Sequence, residues 1–266
     1  KLDTPGEAAN QSYGVGTDKV INWTPTGTFP GGTNVALEWS TDNFATVINT
    51  CIGPPPGNAS GASLAVGADG LQQSFTWKIP NNPSTTVKVR VRVIGDTIES
   101  KSANNFAIQG SLTVTAPNGP AQAWVPGAAE SIAWTQLGGI TTINIYFSRN
   151  NGADSYPVTV ATGVAAGPET GATLPWPGGV PNEATADTYR IKIVDANDSN
   201  VFDVSDAGFI IKASITGVTP GGSSPEYVGD PLTVSWTETG QPGPVTIQLS
   251  RNGFADELQN VTLTTS

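Results

Sequence analysis

The chain contains no histidine and no methionine, and it has one cysteine. Without histidine, Ser–His–Asp triads, Cys/His dyads and nearly all zinc sites are excluded. Cys51 alone can neither close an intramolecular disulfide nor build a thiolate metal site. Any module must therefore be stable through its core, which about 100 residues can manage. An unpaired thiol beside Pro54-Pro55-Pro56 is the expected state of Cys51, with pairing between molecules as the alternative. Charge is scarce too: 13% of residues are Asp, Glu, Lys or Arg, against about 25% in a typical soluble domain. The net charge of −10 offers no basic footprint for nucleic acid. It suits a cell exterior, or simply keeps the protein soluble. No apolar run approaches the ~20 residues that span a bilayer. No signal peptide is visible, and with no Met and a shortened third repeat the sequence reads as a portion of a longer polypeptide.

What the chain has is 31 Gly, 21 Pro and a pattern written three times. Turn-rich composition of this kind suits β modules and opposes helices. Pro5, Tyr13 and Trp23 are echoed by Pro117, Trp124 and Trp134, then by Pro220, Tyr227 and Trp236. The tryptophans lie 111 and 102 residues apart (134 − 23 and 236 − 134), the size of one small β-sandwich.

The second copy is the clearest. Leu112–Thr115, Ser131–Thr135, Ile143–Phe147, Tyr156–Val160, Thr173–Trp176, Tyr189–Val194 and Phe209–Ile211 read as short strands, with Trp124–Gly127 an edge segment. Asn-Gly after the alternating Ile143, Ile145 and Phe147 is a strong hairpin signal. Short strands punctuated by turns predict a two-sheet sandwich. In the first copy Ile21 and Trp23 match Ile132 and Trp134, Leu37 and Trp39 match Ile145 and Phe147, Trp77 matches Trp176, and Phe106 matches Phe209. The third copy supplies Ile215, Trp236, Ile247, Leu249, Asn252-Gly253 and a strand near Val261, then stops. Half a sandwich exposes apolar faces, so its missing strands are expected either beyond this portion or from another chain.

The predicted fold class is therefore all-β, in tandem Ig-like sandwiches of the fibronectin III-like kind. The modules span 1–109, with a loop insertion near 51–62, then 110–212, then 213–266 as the first part of a third. The linkers Ile108–Ser111 and Ile211–Ser214 are short, which predicts a semi-rigid rod.

Trp134-Thr135 and Trp236-Thr237, with the strand beginning at Tyr189, resemble fibronectin type III-like domains. Leu112 to Trp134 with Pro117-Asn118-Gly119, Trp124 and Gly127, and the ending Ser205-Asp206-Ala207-Gly208-Phe209-Ile210, resemble an Ig-like module of microbial surface proteins and Ser/Thr-rich fungal wall proteins. The resemblance covers both complete copies. It implies an extracellular or cell-surface setting and no catalytic residues. The first copy departs from it, with Lys101–Asn105 where the second has Val204–Gly208.

Paired carboxylates are the remaining catalytic option, and a loop rich in Asn and Ser gives them little of the burial a general acid needs. Asp195, Asn197, Asp198, Asp203 and Asp206 instead offer hard oxygen ligands that point to calcium, though their spacing fits no EF-hand and acidic loops are commonly just solvated. No other cofactor is expected. Gly14-Val15-Gly16 reads as a turn, not a nucleotide loop. Lys88, Arg90, Arg92, Arg190 and Lys192 are five of only 12 basic residues. They alternate with apolar residues on the sixth strand, so they share the outward sheet face. There they either pair across strands or form a contact stripe for the acidic surface of a neighbouring molecule. Expected partners are copies of the chain or other surface proteins, with cell-wall or glycan contact through exposed Trp or Tyr rings as the alternative. Asn10, Asn22, Asn58, Asn197 and Asn260 begin N-x-Ser/Thr sequons.

Overall fold

A computed structural model describes residues 1–52, 63–221, 227, 229–250, 253–255 and 261–265. The described residues form strands and turns with no helix. In the first module these are β1 (Leu2–Thr4), β2 (Ser12–Gly14), β3 (Asp18–Trp23), β4 (Asn34–Ser40), β5 (Asn49–Thr50), β6 (Leu64–Ala65), β7 (Gln73–Lys78), β8 (Ser84–Val93), β9 (Glu99–Lys101) and β10 (Phe106–Gln109). The second has β11 (Ser111–Ala116), β12 (Ala123–Trp124), β13 (Ser131–Leu137), β14 (Thr142–Ser148), β15 (Val158–Ala165), β16 (Ala172–Pro175), β17 (Ala186–Asp195), β18 (Phe202–Val204) and β19 (Phe209–Ile211). Then come β20 (Ser214–Thr219), β21 (Ser235–Thr239), β22 (Thr246–Leu249) and β23 (Val261–Thr265).

Pairing is the same in both complete copies. A three-stranded sheet, β1-β3-β7 or β11-β13-β16, faces a larger one ordered β2-β10-β8-β4-β5 or β12-β19-β17-β14-β15. That is the division of strands found in an Ig-like sandwich, and the chain is a tandem of such sandwiches. The first strand after each turning proline, β2 or β12, lies parallel to the last strand of its module. Pro5, Pro117 and Pro220 each follow a cis peptide bond.

Period-two alternation sends one side of every strand inward. The second core gathers Ile132, Trp134, Ile143, Ile145, Phe147, Tyr189, Ile191, Ile193 and Phe209; the first gathers their counterparts Ile21, Trp23, Leu37, Trp39, Val89, Val91 and Phe106. An indole carries a polar N–H that needs a partner when buried. Trp23 Nε1 donates to the Val66 carbonyl at 3.2 Å, and Trp134 Nε1 to the Ala166 carbonyl at 2.8 Å. Tyr189, in strand β17, donates its hydroxyl to the Ala184 carbonyl at 2.6 Å, the corner contact typical of this fold. All six tryptophans of the two modules are buried, Trp39 and Trp124 included.

A serine closes the hairpin after the third core strand in every copy. Ser40 Oγ accepts from the amides of Asp42 and Phe44, Ser148 Oγ from those of Asn150 and Gly152, and Ser250 Oγ from that of Phe254. Ser40 and Ser148 are fully buried. Most of the 51–62 insertion lies outside the described residues. Its flanks, β5 and β6, pair separately with β4, where the single strand β15 pairs with β14 through two register shifts. Cys51 is a buried free thiol in the first core, and burial raises its pKa, with the Glu38 charge adding to the effect. Strand β18, which the pattern reading did not anticipate, pairs with β17.

Among the described residues the third copy forms two two-stranded antiparallel sheets, β20-β21 and β22-β23. Trp236 is half-buried there and its Nε1 donates to Glu238; Asn252 lies outside the described residues. Trp134→Ala is expected to cost the second module about 3–5 kcal/mol in denaturant unfolding. Trp236→Ala should cost clearly less, since its ring has less packing to lose.

Candidate interaction surface and inter-module joint

The five basic residues do share the outward face of the large sheets, but the two modules treat them differently. In the first, register places Glu38 directly opposite Arg90, with Arg92 opposite Glu99 and Arg90 opposite Lys101. Arg90 Nε lies 2.6 Å and Arg92 Nη2 2.8 Å from the Glu38 carboxylate, while Arg90 Nη1 and Lys101 Nζ each lie 3.0 Å from Glu99. Phe44, held by the Ser40 loop, lies across the cluster with its ring centroid 4.3 Å from the Arg90 guanidinium. Glu38 and Arg90 are buried. Burial works against the charged form of Glu38, but hydrogen bonds from Arg92 and Arg90 outweigh it and hold the carboxyl below its ordinary range. Lys88 Nζ donates to the Ser102 and Ala103 carbonyls. Arg90 and Arg92 thus pair with acids across the strands, while Lys88 is held by backbone carbonyls of its own module.

In the second module the same register positions carry Tyr146 for Glu38, Lys192 for Arg90, Val194 for Arg92, Phe202 for Glu99 and Val204 for Lys101. Arg190 still donates to backbone, at the Ser205 carbonyl, and to Asn151 Oδ1. Lys192 lies between two rings, 4.2 Å from the Phe202 centroid and 5.8 Å from that of Tyr156.

The five residues expected to gather around calcium do not converge. Asp195 Oδ1 accepts from the Asn197 amide, Asp198 Oδ1 from the Asn200 amide, Asp203 Oδ2 from the Val114 amide, and Asp206 Oδ2 from Asn118 Nδ2. Each carboxylate accepts from a separate N–H, and among the described residues no three His, Cys, Asp or Glu side chains come together. These residues do not fit a cation cage. Of the sequons, Asn10 and Asn197 are exposed and Asn22 is half-buried; Asn58 and Asn260 lie outside the described residues.

Asp198 belongs to a joint the sequence reading missed. Its Oδ2 accepts from Gln109 Nε2 of the first linker at 2.7 Å. Ser111 Oγ donates to the Val15 carbonyl, Asn81 Nδ2 to Glu169 Oε1, and Leu137 packs against the first core. Gly138, at φ +86°, lies so close to the linker that a Cβ there would meet Gly110 Cα at 2.6 Å. The second joint repeats the device. A Cβ on Gly240, also at φ +86°, would meet Ala213 Cα at 2.9 Å, and the Ala213 amide donates to Thr185 Oγ1. Both glycines follow their tryptophan by four residues, as does Gly27 of the first copy, where a Cβ would meet open space. The spacing Trp-x-x-x-Gly was therefore the readable signal.

No protein-family model and no curated protein matches the sequence. Among solved structures, the chain is similar to titin domains Z1Z2 in complex with telethonin, at 11% identity over 80% of this chain and 95% of that one, TM-score 0.24. It is similar to the titin A168169 structure at 12% identity over 79% and 98%, TM-score 0.25. Extracellular domains 3–5 of Drosophila OTK match at 12% identity over 97% of this chain and 81% of that one, TM-score 0.29. The fold assignment itself rests on the strand pairing.

Removing one member of a buried charge cluster leaves the others uncompensated, at a cost of about 3–5 kcal/mol. Glu38→Gln should therefore destabilise the first module by about 3 kcal/mol at pH 7 in urea unfolding. Because the folded pKa of Glu38 lies below its ordinary value of 4.5, its contribution is complete above that value and is lost as pH falls through the folded one. The parent protein should lose stability in that acidic window more steeply than Glu38→Gln; equal slopes would refute the assignment.

Proposed function

We propose that this chain is a non-catalytic structural array of an extracellular or cell-surface protein, such as a surface layer, filament or stalk, built from Ig-like modules of the microbial wall type. The observation that carries the reading is the joint. The same glycine knuckle, pressed against the same point of the linker, recurs at both module boundaries. Side-chain hydrogen bonds and Leu137 brace the first of them. A load-bearing or spacing array needs a reproducible angle between modules, and a backbone-to-backbone contact fixes that angle without long side chains that must lose rotamer freedom.

Glycan recognition would call for exposed Trp or Tyr faces, with indoles the strongest platforms. The six tryptophans of the complete modules pack in their cores instead, which favours the scaffold over an adhesive reading. Sparse charge and a single buried thiol suit an exported protein that relies on many small, independently stable cores. Copies of the chain or other surface proteins are the partners such an array would meet.

Gly138→Val places a branched side chain against Gly110 and forces the joint open. Backbone ¹⁵N relaxation should show the first two modules of the parent chain tumbling as one elongated body. In Gly138→Val they should tumble with separate diffusion tensors while each keeps its own chemical-shift pattern. Independent tumbling in the parent chain would end the rod reading.

A further inference from the structure

The outward faces of the two complete modules differ in one respect that bears on assembly. In the first, acids and bases close upon each other. In the second, every partner at the matching positions has been replaced by an aromatic or aliphatic residue; of the two cations there, Arg190 bonds to Asn151 and the Ser205 carbonyl, which leaves Lys192. Among the described residues Lys192 has no hydrogen-bond or ion-pair partner; it lies between Phe202, which is 49% exposed, and Tyr156, with Tyr146 opposite it across the strand pair. Aromatic side chains around a single charge are the composition of a binding hot spot, in which the rings exclude water and strengthen the ion pair they surround.

We propose that the outward face of β14, β17 and β18 docks an acidic surface of a second copy of this chain, with Lys192 receiving its carboxylate. The proposal rests on the structural-array reading and names the contact surface that array would use. Charge complementarity selects the occupant: the chain has 22 acidic residues and 12 basic ones, so each copy offers ten carboxylates beyond what its own cations can match. A sugar ring fits the face less well. It needs the flat side of an aromatic ring, and the Phe202 and Tyr156 rings already turn toward the ammonium between them.

Two copies at −10 each repel at long range, so attraction must act at contact. At ~0.15 M salt the screening length is about 8 Å, at ~0.01 M about 30 Å and at ~1 M about 3 Å. Association should therefore be strongest near physiological salt, weakened below it by whole-chain repulsion and above it by screening of the Lys192 pair.

Sedimentation velocity on the full 266-residue chain, across concentration and at these three salt levels, tests this. Self-association should appear near ~0.15 M. Lys192→Glu and Lys192→Ala should weaken it at least ten-fold, Lys192→Arg should retain it, and Lys88→Ala should leave it unchanged. Near-UV circular dichroism and melting must match the parent in every variant counted. A chain that stays monomeric, or association indifferent to Lys192, overturns the proposal. So does a Lys192-dependent affinity for a soluble polygalacturonate in place of self-association. None of these results alters the relaxation test of the monomeric rod, so the two readings fail separately.

Discussion

Each module depends on one indole placed between two sheets with its N–H bonded to a carbonyl across the core. Trp23 and Trp134 occupy this place, with Val66 and Ala166 as acceptors. With no disulfide available, the ring does what a cross-link does in other Ig-like domains: it ties the small sheet to the large one. The hydrogen bond adds direction to what would otherwise be non-directional burial, since an unsatisfied buried N–H costs about 1–3 kcal/mol. Strand register then follows. A slip of one residue in β13 would turn Trp134 and Ile132 to solvent and bring Ala133 and Thr135 inward.

The same indole also sets the joint. Strand β13 continues three residues past Trp134 to Leu137 and turns at Gly138, so the distance from core to knuckle is fixed by strand rise. Leu137 belongs by sequence to the second module but packs against the first core. Linker residues on either side are left little room: Gly110 has no space for a Cβ beside Ile140 and the Leu137 carbonyl. The same strand that fills the core thus brings Gly138 against Gly110 of the linker.

The inner faces were legible because period-two alternation and the tryptophan spacing both report on burial, and burial is what the sequence repeats. Trp77, Phe106 and the Val87–Val93 strand stand where the pattern put them. Strand β18 was not legible: Phe202-Asp203-Val204 is short, lies in an Asp- and Asn-rich stretch, and gains its strand form only by pairing with β17. The basic stripe was read correctly as to face and incompletely as to partner. Glu38 sits between Leu37 and Trp39 in a buried strand, and nothing short of the cross-strand register reveals that Arg90 lies opposite. The calcium reading meets a related limit. Composition counts carboxylates, whereas a cation needs them aimed at one point, and these four carboxylates each accept from a different N–H.

A contrast between the two faces of the large sheet follows. On the inner face Leu37 and Ile145, Trp39 and Phe147, Val91 and Ile193 exchange one apolar side chain for another of similar bulk, because close packing tolerates volume-conserving swaps and little else. On the outer face the exchange is of kind: Glu38 for Tyr146, Arg92 for Val194, Glu99 for Phe202. Outside the core the cross-strand neighbours decide what fits, so these positions change chemistry together. A buried charge cluster gives little net stability over apolar residues of the same size, and replacing its members together with aromatic and aliphatic side chains is therefore tolerable for the sandwich. Keeping one lysine among them adds only cation–π contact, chiefly with Phe202, worth about 0.5–1 kcal/mol at an exposed site. Its aliphatic stem could be matched by leucine at no electrostatic cost, so the retained ammonium is a feature of the surface, and the surface is where one module of a tandem array can differ from the next.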